Sequence, residues 1–166
     1  HPGLQTLEAR LSIWDGSEAA LAFESGMAAI SSVFSLLPDG AVVVAANNGY
    51  QGTTTLLQKL HESKRLEVRF VNLANTDETL SAIPGAQMLY LESPINPLLE
   101  VVDLPTVIRA GKAAGCGVAV DNTLATPLLQ KPLTLGADIV IHSVTKYLSG
   151  HSDLILGSLS TTDPEL

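Results

Sequence analysis

Two short apolar runs each lead into a residue that could do chemistry. The run at residues 137–141 precedes Ser143, and Lys146 follows shortly after. The run at residues 117–120 leads directly into Asp121. Because open α/β sheets place their ligands outside the carboxyl ends of parallel strands, Asp121 and Lys146 could face one cleft from neighbouring strands.

This pair of residue types suits pyridoxal phosphate. A lysine at a strand end can lose hydration, which lowers its pKa and makes its amine a nucleophile toward an aldehyde. An acid beside a pyridine nitrogen keeps that nitrogen protonated, so that the ring can accept the electrons of a carbanion. Taken singly, each residue has a simpler explanation: Lys146 as a solvated surface lysine and Asp121 as a turn residue.

A third segment could bind the phosphate group of such a cofactor. Residues 24–30 read Glu-Ser-Gly-Met-Ala-Ala-Ile and open an alanine-rich stretch with helical character. Ser25 and Gly26 suit a helix N-terminus, where free N–H groups and the helix dipole attract an anion. Ser143 and Thr145 could add hydroxyl donors. A plain helix cap without any ligand is the alternative explanation for Ser25 and Gly26.

With these motifs in order, the chain resembles the Cys/Met-metabolism family of pyridoxal-phosphate enzymes, the trans-sulfuration group. The resemblance extends from Leu4 to about Ser160. Five motifs carry it: Ser-Gly-Met-Ala-Ala at 25–29, Tyr-Gln-Gly-Thr at 50–53, Glu-Ser-Pro-Ile-Asn-Pro at 92–97, Val-Asp-Asn-Thr at 120–123 and Ser-Val-Thr-Lys-Tyr-Leu-Ser-Gly-His-Ser-Asp at 143–153. Their combination identifies the family without selecting one member of it.

The resemblance implies catalytic roles for three residues. Lys146 matches the lysine that forms the Schiff base with the cofactor, and Asp121 matches the partner of the pyridinium nitrogen. Tyr50 matches the tyrosine that stacks on the ring and assists proton transfer; an aromatic face packs well on a flat ring. Asn96 matches the residue near the phenolic oxygen, and Thr123 belongs with the cofactor-binding residues.

The resemblance also implies a phosphate site. The backbone amides of Gly26 and Met27 match the phosphate-binding amides of the family, and Ser143 and Thr145 match its hydroxyl ligands. The implied fold is α/β: the large domain of the fold-type I pyridoxal-phosphate transferases, a mostly parallel sheet between two layers of helices.

The implied activity is β- or γ-elimination or γ-replacement on a small sulfur amino acid, in a homo-oligomeric enzyme. Many members carry an arginine two residues after the threonine of the tyrosine-glycine-threonine motif. Here the corresponding stretch is Thr53-Thr54-Thr55, which has no charged side chain. Its composition argues against recognition of a distal substrate carboxylate.

Family members are well over twice as long as this chain. We therefore expect residues 1–166 to be part of a truncated cofactor-binding domain, with weak cofactor binding and no useful turnover on their own. The alternative function is an inactive cofactor-binding or structural fragment. A nucleotide-binding domain is a third possibility, but no glycine-rich signature supports it.

Composition and charge limit the kinds of partner that the chain is expected to bind. The 166 residues suffice for one domain with a core. A net charge of −8 argues against binding to nucleic acid or anionic membranes, and the apolar runs are too short for a membrane span. The single Cys116 fits a reducing compartment, hence the cytoplasm. The four histidines are spread too far along the chain to predict a metal site.

Short apolar strands alternate with helical patterns, which predicts βαβ units and a mostly parallel sheet. The predicted strands are 41–46, 66–73, 87–92, 117–121, 137–142 and 154–160, and the predicted helices are 4–14, 26–37, 53–62, 76–82 and 104–114. The last strand follows the lysine loop without room for a crossover helix, so we expect it to pair antiparallel.

Overall fold

A computed structural model describes residues 1–163 and 165. Within this part of the chain, seven strands form one sheet in the order β1-β7-β6-β5-β4-β2-β3. The strands are β1 (Ala19–Phe23), β2 (Ala41–Ala46), β3 (Leu66–Val71), β4 (Met88–Glu92), β5 (Gly117–Asp121), β6 (Ile139–Ser143) and β7 (Gly157–Thr161). β7 runs antiparallel to β1 and β6, and all other neighbours pair in parallel.

Six helices connect or flank these strands in the same part of the chain. They are α1 (Pro2–Asp15), α2 (Gly26–Ser35), α3 (Gln51–Glu62), α4 (Thr76–Ala82), α5 (Leu104–Ala113) and α6 (Thr126–Leu129), and a 3₁₀ turn covers Pro132–Leu135. Polar side chains explain where three of them begin, because Ser25, Asn75 and Asp103 each accept a hydrogen bond from a backbone N–H of the first turn.

The two faces of the sheet are buried under different helices. On one face, α2 and α3 pack their apolar side chains onto the sheet, and the rings of Phe34 and Tyr90 lie 5.1 Å apart. On the other face, Leu104 of α5 and Ile83, which directly follows α4, belong to a second apolar cluster. Strands buried on both faces must be apolar throughout, so polar chemistry is left to the ends of the strands.

The predicted three-layer, mostly parallel α/β fold is confirmed. Strands 41–46 and 117–121 and helix 76–82 have the predicted bounds at both ends. The final strand is antiparallel as predicted, although it begins only at Gly157. The sequence did not predict β1, because its residues are only partly buried and include no β-branched side chain. Its backbone pairing with β7 makes it a strand.

Candidate active site at the carboxyl ends of the strands

One cleft of about 820 Å³ opens at the carboxyl ends of the central parallel strands. Glu92 ends β4, Asp121 ends β5 and Ser143 ends β6. We call this space the central cleft. The structure brings all nine predicted site residues to its walls: Gly26, Met27, Tyr50, Asn96, Asp121, Thr123, Ser143, Thr145 and Lys146. Residues from five separate parts of the sequence therefore meet, as expected where parallel strands end together.

The N-terminus of α2 forms one corner of the cleft. The Ser25 hydroxyl accepts a hydrogen bond from the Ala28 N–H at 3.1 Å, whereas the N–H groups of Gly26 and Met27 have no acceptor within the helix. Ser143 lies directly against this turn, because a Cβ built on Gly26 would be 2.9 Å from the Ser143 Oγ. Free amides, a helix dipole and a hydroxyl group together make a site for an anion such as phosphate.

A second glycine lets the sheet approach this corner. Gly157 begins β7 and pairs in register with Ser143. A Cβ on Gly157 would lie 2.6 Å from the Ser25 carbonyl carbon and 2.8 Å from the Gly26 nitrogen, and closer still to the Ser25 oxygen. Only a residue without a side chain fits there. The sequence analysis did not identify this glycine, because the contact joins residues far apart in the chain.

Asp121 is a buried acid at the floor of the cleft, with 7% of its surface exposed. Its Oδ1 accepts the Thr123 N–H at 3.0 Å, and its Oδ2 accepts the Tyr90 hydroxyl at 3.4 Å. Burial raises the pKa of Asp121, and hydrogen bonds from Thr123 oppose that shift. Burial and the nearby Asp121 also raise the pKa of Tyr90 well above its usual value. Tyr90 therefore keeps its proton and donates a hydrogen bond to Asp121.

Thr123 ties the two central strands together. Its N–H contacts Asp121 on β5, and its Oγ1 accepts the Ser143 N–H at 2.8 Å on β6. The side chain thus fixes the acid relative to the phosphate corner, and it also lines the cleft.

Lys146 lies at the mouth of the cleft in the turn that follows β6. Its backbone N–H donates to the Ser143 carbonyl at 3.0 Å, and the residue is exposed. The expectation of a lysine that has lost its hydration is therefore wrong for this structure. The reason is tertiary: the turn extends beyond the strand end, and no described segment covers its outer side.

Thr145 lies beside the lysine with its hydroxyl already engaged. The Oγ1 donates to the Leu156 carbonyl at 3.1 Å and accepts the Leu156 N–H at 2.9 Å. These bonds hold the lysine turn against the segment that leads into β7. The hydroxyl would have to leave the Leu156 carbonyl to donate to a phosphate, so its predicted role as a ligand stays a prediction.

Tyr50 and Asn96 lie on the opposite wall and share one partner that the sequence analysis missed. Glu92 accepts the Tyr50 N–H at 2.9 Å through Oε2 and the Asn96 N–H at 2.8 Å through Oε1. Burial raises the pKa of Glu92 to about 7. The available sequence signal was its place as an acid at the end of an apolar strand, which is the same signal that identified Asp121.

A buried polar pair supports β6 from the face opposite α2. His142 Nε2 lies 2.9 Å from Asp15 Oδ1, and both side chains are about 1% exposed. The pair joins the last residue of α1 to the strand that carries Ser143. It therefore fixes the position of the phosphate corner without lining the cleft.

This donor set fits a phosphorylated pyridine aldehyde. The amides of Gly26 and Met27 with the Ser143 hydroxyl suit the phosphate, and the buried acid Asp121 suits a protonated ring nitrogen. Lys146 supplies a primary amine for the aldehyde. The fit rests on the close contact of Gly26 with Ser143, where any side chain on Gly26 would fill the anion corner.

Comparisons with known proteins agree with this fit. Residues 1–166 match the model of the family described as Cys/Met metabolism PLP-dependent enzyme. The chain is 43% identical to the cystathionine gamma-lyase of Bacillus subtilis, covering 100% of this chain and 44% of the relative. It is 40% identical to the cystathionine gamma-synthase of Mycobacterium bovis, covering 100% of this chain and 43% of the relative.

Solved structures show the same fold. The crystal structure of cystathionine gamma synthase from Xanthomonas oryzae pv. oryzae in complex with cystathionine superposes with a TM-score of 0.96 at 34% identity. The superposition covers 99% of this chain and 43% of that one. The chain thus spans less than half the length of each of these three proteins.

Proposed function

Because the chain belongs to the Cys/Met-metabolism family of PLP-dependent enzymes, we propose that it binds pyridoxal 5'-phosphate in the central cleft for reactions on sulfur amino acids. The reaction class is β- or γ-elimination or γ-replacement, as the names of its relatives suggest. The observation that carries this proposal is the meeting of Lys146, Asp121 and the α2 N-terminus around one cavity.

Some residues of the chain hold the cofactor, and others transfer protons. The cofactor supplies an electron sink for a substrate carbanion. The Gly26 and Met27 amides and the Ser143 hydroxyl bind the phosphate, and Asp121 keeps a proton on the ring nitrogen. The amine of Lys146 would hold the aldehyde group of the cofactor and, as a free base, would move a proton between substrate carbons.

The opposite wall orients the ring and the leaving group. Tyr50, which is 39% exposed, can pack its ring on a flat cofactor and pass a proton to the departing sulfur. The Asn96 amide can donate to a phenolate oxygen. Thr123 fixes Asp121 in place, and Thr145 holds the lysine turn through its bonds to Leu156.

Cofactor binding without turnover is the second candidate. The observation that favours it is the exposure of Lys146 and Tyr50, the two residues that must move protons. Water at these positions competes for protons and weakens electrostatic interactions that an enclosed site would strengthen.

One titration separates the two candidates. The purified chain is titrated with pyridoxal phosphate while its visible absorbance is followed, and formation of a 2-oxo acid from cystathionine and from methionine is then measured. Lys146→Ala is the matched control. Lysine-dependent absorbance with product supports the enzyme; the same absorbance without product supports binding alone. The absence of lysine-dependent absorbance would refute both.

We also propose that residues 1–166 act as one domain, in a cytoplasmic homo-oligomer. All strands of the described chain join one sheet, which supports a single domain. The buried, unpaired Cys116 thiol suits a reducing compartment. The contacting helices α1 and α6 expose four large apolar side chains, Ile13, Trp14, Leu128 and Leu129, by 48–90%, and a group of this kind is typical of subunit contacts. Light scattering of the purified chain measures the subunit number.

Among the described residues, no helix is long and apolar enough to cross a membrane.

A further inference from the structure

Glu92 lies between two segments that wall the central cleft. Its Oε2 accepts the N–H of Tyr50, the residue that precedes α3, and its Oε1 accepts the N–H of Asn96 in the loop after β4. Tyr50 follows a different strand, 42 positions away from Glu92 in the sequence. One carboxylate therefore links two loops, which a hydrogen bond from Asn48 Nδ2 to Glu100 Oε2 at 2.7 Å also joins.

The surroundings are shaped to admit this carboxylate. A Cβ built on Gly49 would lie 2.8 Å from the Glu92 Oε2 and 3.0 Å from the Ala46 Cβ, so a side chain at Gly49 would displace the acid. Glu92 itself is 6% exposed. Its two oxygens are thus aimed at backbone N–H groups in a confined space.

From these contacts we propose that Glu92 is a positioning residue, which holds the Tyr50 and Asn96 segments at the spacing that the cofactor ring needs. The part of this proposal that concerns the ring rests on the proposed function. We call Glu92 with its hydrogen bonds to the Tyr50 N–H and the Asn96 N–H the clamp. The clamp involves only atoms of this chain and can be tested without any cofactor.

The charges around Glu92 make the clamp depend on pH. The ionisable side chains that face it are Asp121 on β5 and Tyr90 on its own strand, whereas Tyr50 contacts it through its backbone N–H. None of the salt bridges within residues 1–163 and 165 involves Glu92. Burial, with Asp121 adding to it, brings the pKa of Glu92 to about 7, and the two backbone hydrogen bonds oppose that rise.

Protonation removes half of the clamp. A carboxylate accepts through both oxygens, whereas a carboxylic acid has one oxygen that carries a proton taken from solvent and acts as a donor. One of the two N–H groups, of Tyr50 or of Asn96, then faces a donor and loses its acceptor. The Tyr50 and Asn96 segments should therefore be held in place above about pH 7 and be more mobile below it.

Amide hydrogen exchange of the chain without cofactor tests the clamp directly. Glu92→Gln keeps the size of the side chain but leaves one accepting oxygen. At pH 8, we expect exchange at Tyr50 or Asn96 to accelerate at least about tenfold, the usual order for losing a hydrogen bond to a charged group. Glu78→Gln is the matched control, because Glu78 accepts the Asn72 N–H at 2.9 Å outside the cleft. This control should leave Tyr50 and Asn96 unchanged.

A titration of the parent chain keeps the proposal testable if Glu92→Gln does not fold. We expect the Glu92 side-chain carbon signal and the Tyr50 and Asn96 amide signals to share one midpoint near pH 7. Unchanged exchange in a folded Glu92→Gln, or amide signals that ignore the Glu92 titration, would overturn the clamp. Trapping of cofactor on Lys146 is measured separately, so that failure of the clamp and failure of the proposed function give different results.

Discussion

Replacement of Gly157 by alanine should force β7 away from the phosphate corner. The new Cβ would lie 2.6 Å from the Ser25 carbonyl carbon and 2.8 Å from the Gly26 nitrogen. Both are backbone atoms, so no side-chain rotation relieves the overlap, and β7 and α2 must separate. Overpacking costs about 1–3 kcal/mol, and a contact with fixed backbone belongs at the upper end. We expect a loss of about 3 kcal/mol in the free energy of unfolding.

Denaturant unfolding of Gly157→Ala beside Gly117→Ala measures this loss. Gly117 lies in β5, and its Cβ would meet only the Gln87 carbonyl oxygen at 3.6 Å and the Met88 Cε at 3.8 Å. That replacement should change stability by no more than about 1 kcal/mol, in the stabilising direction. Phosphate affinity, followed by phosphorus NMR, should fall only in Gly157→Ala. Equal stability of the two variants would refute the close approach of β7 to α2.

Three further predictions concern buried acids. Asp121→Asn should keep cofactor binding but lower turnover of an active enzyme at least about a hundredfold, because an amide cannot hold the ring proton; near-normal turnover would assign that proton to another group. Asp15→Ala should cost about 2–3 kcal/mol in chemical unfolding, since His142 loses its partner at 2.9 Å in a buried site; an unchanged midpoint would count against the pair. The pKa of Glu92 is about 7 in the folded chain and 4.5 in the unfolded chain, so between these pH values only the folded chain keeps the proton. The free energy of unfolding should therefore fall by about 3 kcal/mol as the pH rises from 4.5 to about 7. Glu92→Gln should lack this contribution, and equal pH slopes in the parent chain and the variant would contradict it.

The sequence predicted the central strands and their chemistry because both depend on local patterns. β5 is an apolar run that ends in an acid, and the run before Ser143 and Lys146 has the same form. Once these strands are taken as parallel neighbours, their ends must share one edge of the sheet. The meeting of Asp121, Ser143 and Lys146 followed from that rule.

Features that depend on long-range contacts could not be predicted in this way. β1 is a strand because it pairs with β7, more than a hundred residues later. Gly157 matters because of Ser25, and Glu92 matters because of the Tyr50 N–H. The exposure of Lys146 likewise depends on which segments cover its turn, and no residue near it in the sequence carries that information.

The central claim is that this cleft binds pyridoxal phosphate through Lys146. The most direct test is to incubate the chain with the cofactor, reduce it with borohydride and map the modified peptide by mass spectrometry. The account predicts a phosphopyridoxyl group on Lys146, absent in Lys146→Ala and reduced when excess inorganic phosphate competes for the α2 N-terminus. Modification spread over Lys59, Lys64, Lys112 and Lys131 with no preference for Lys146 would contradict it.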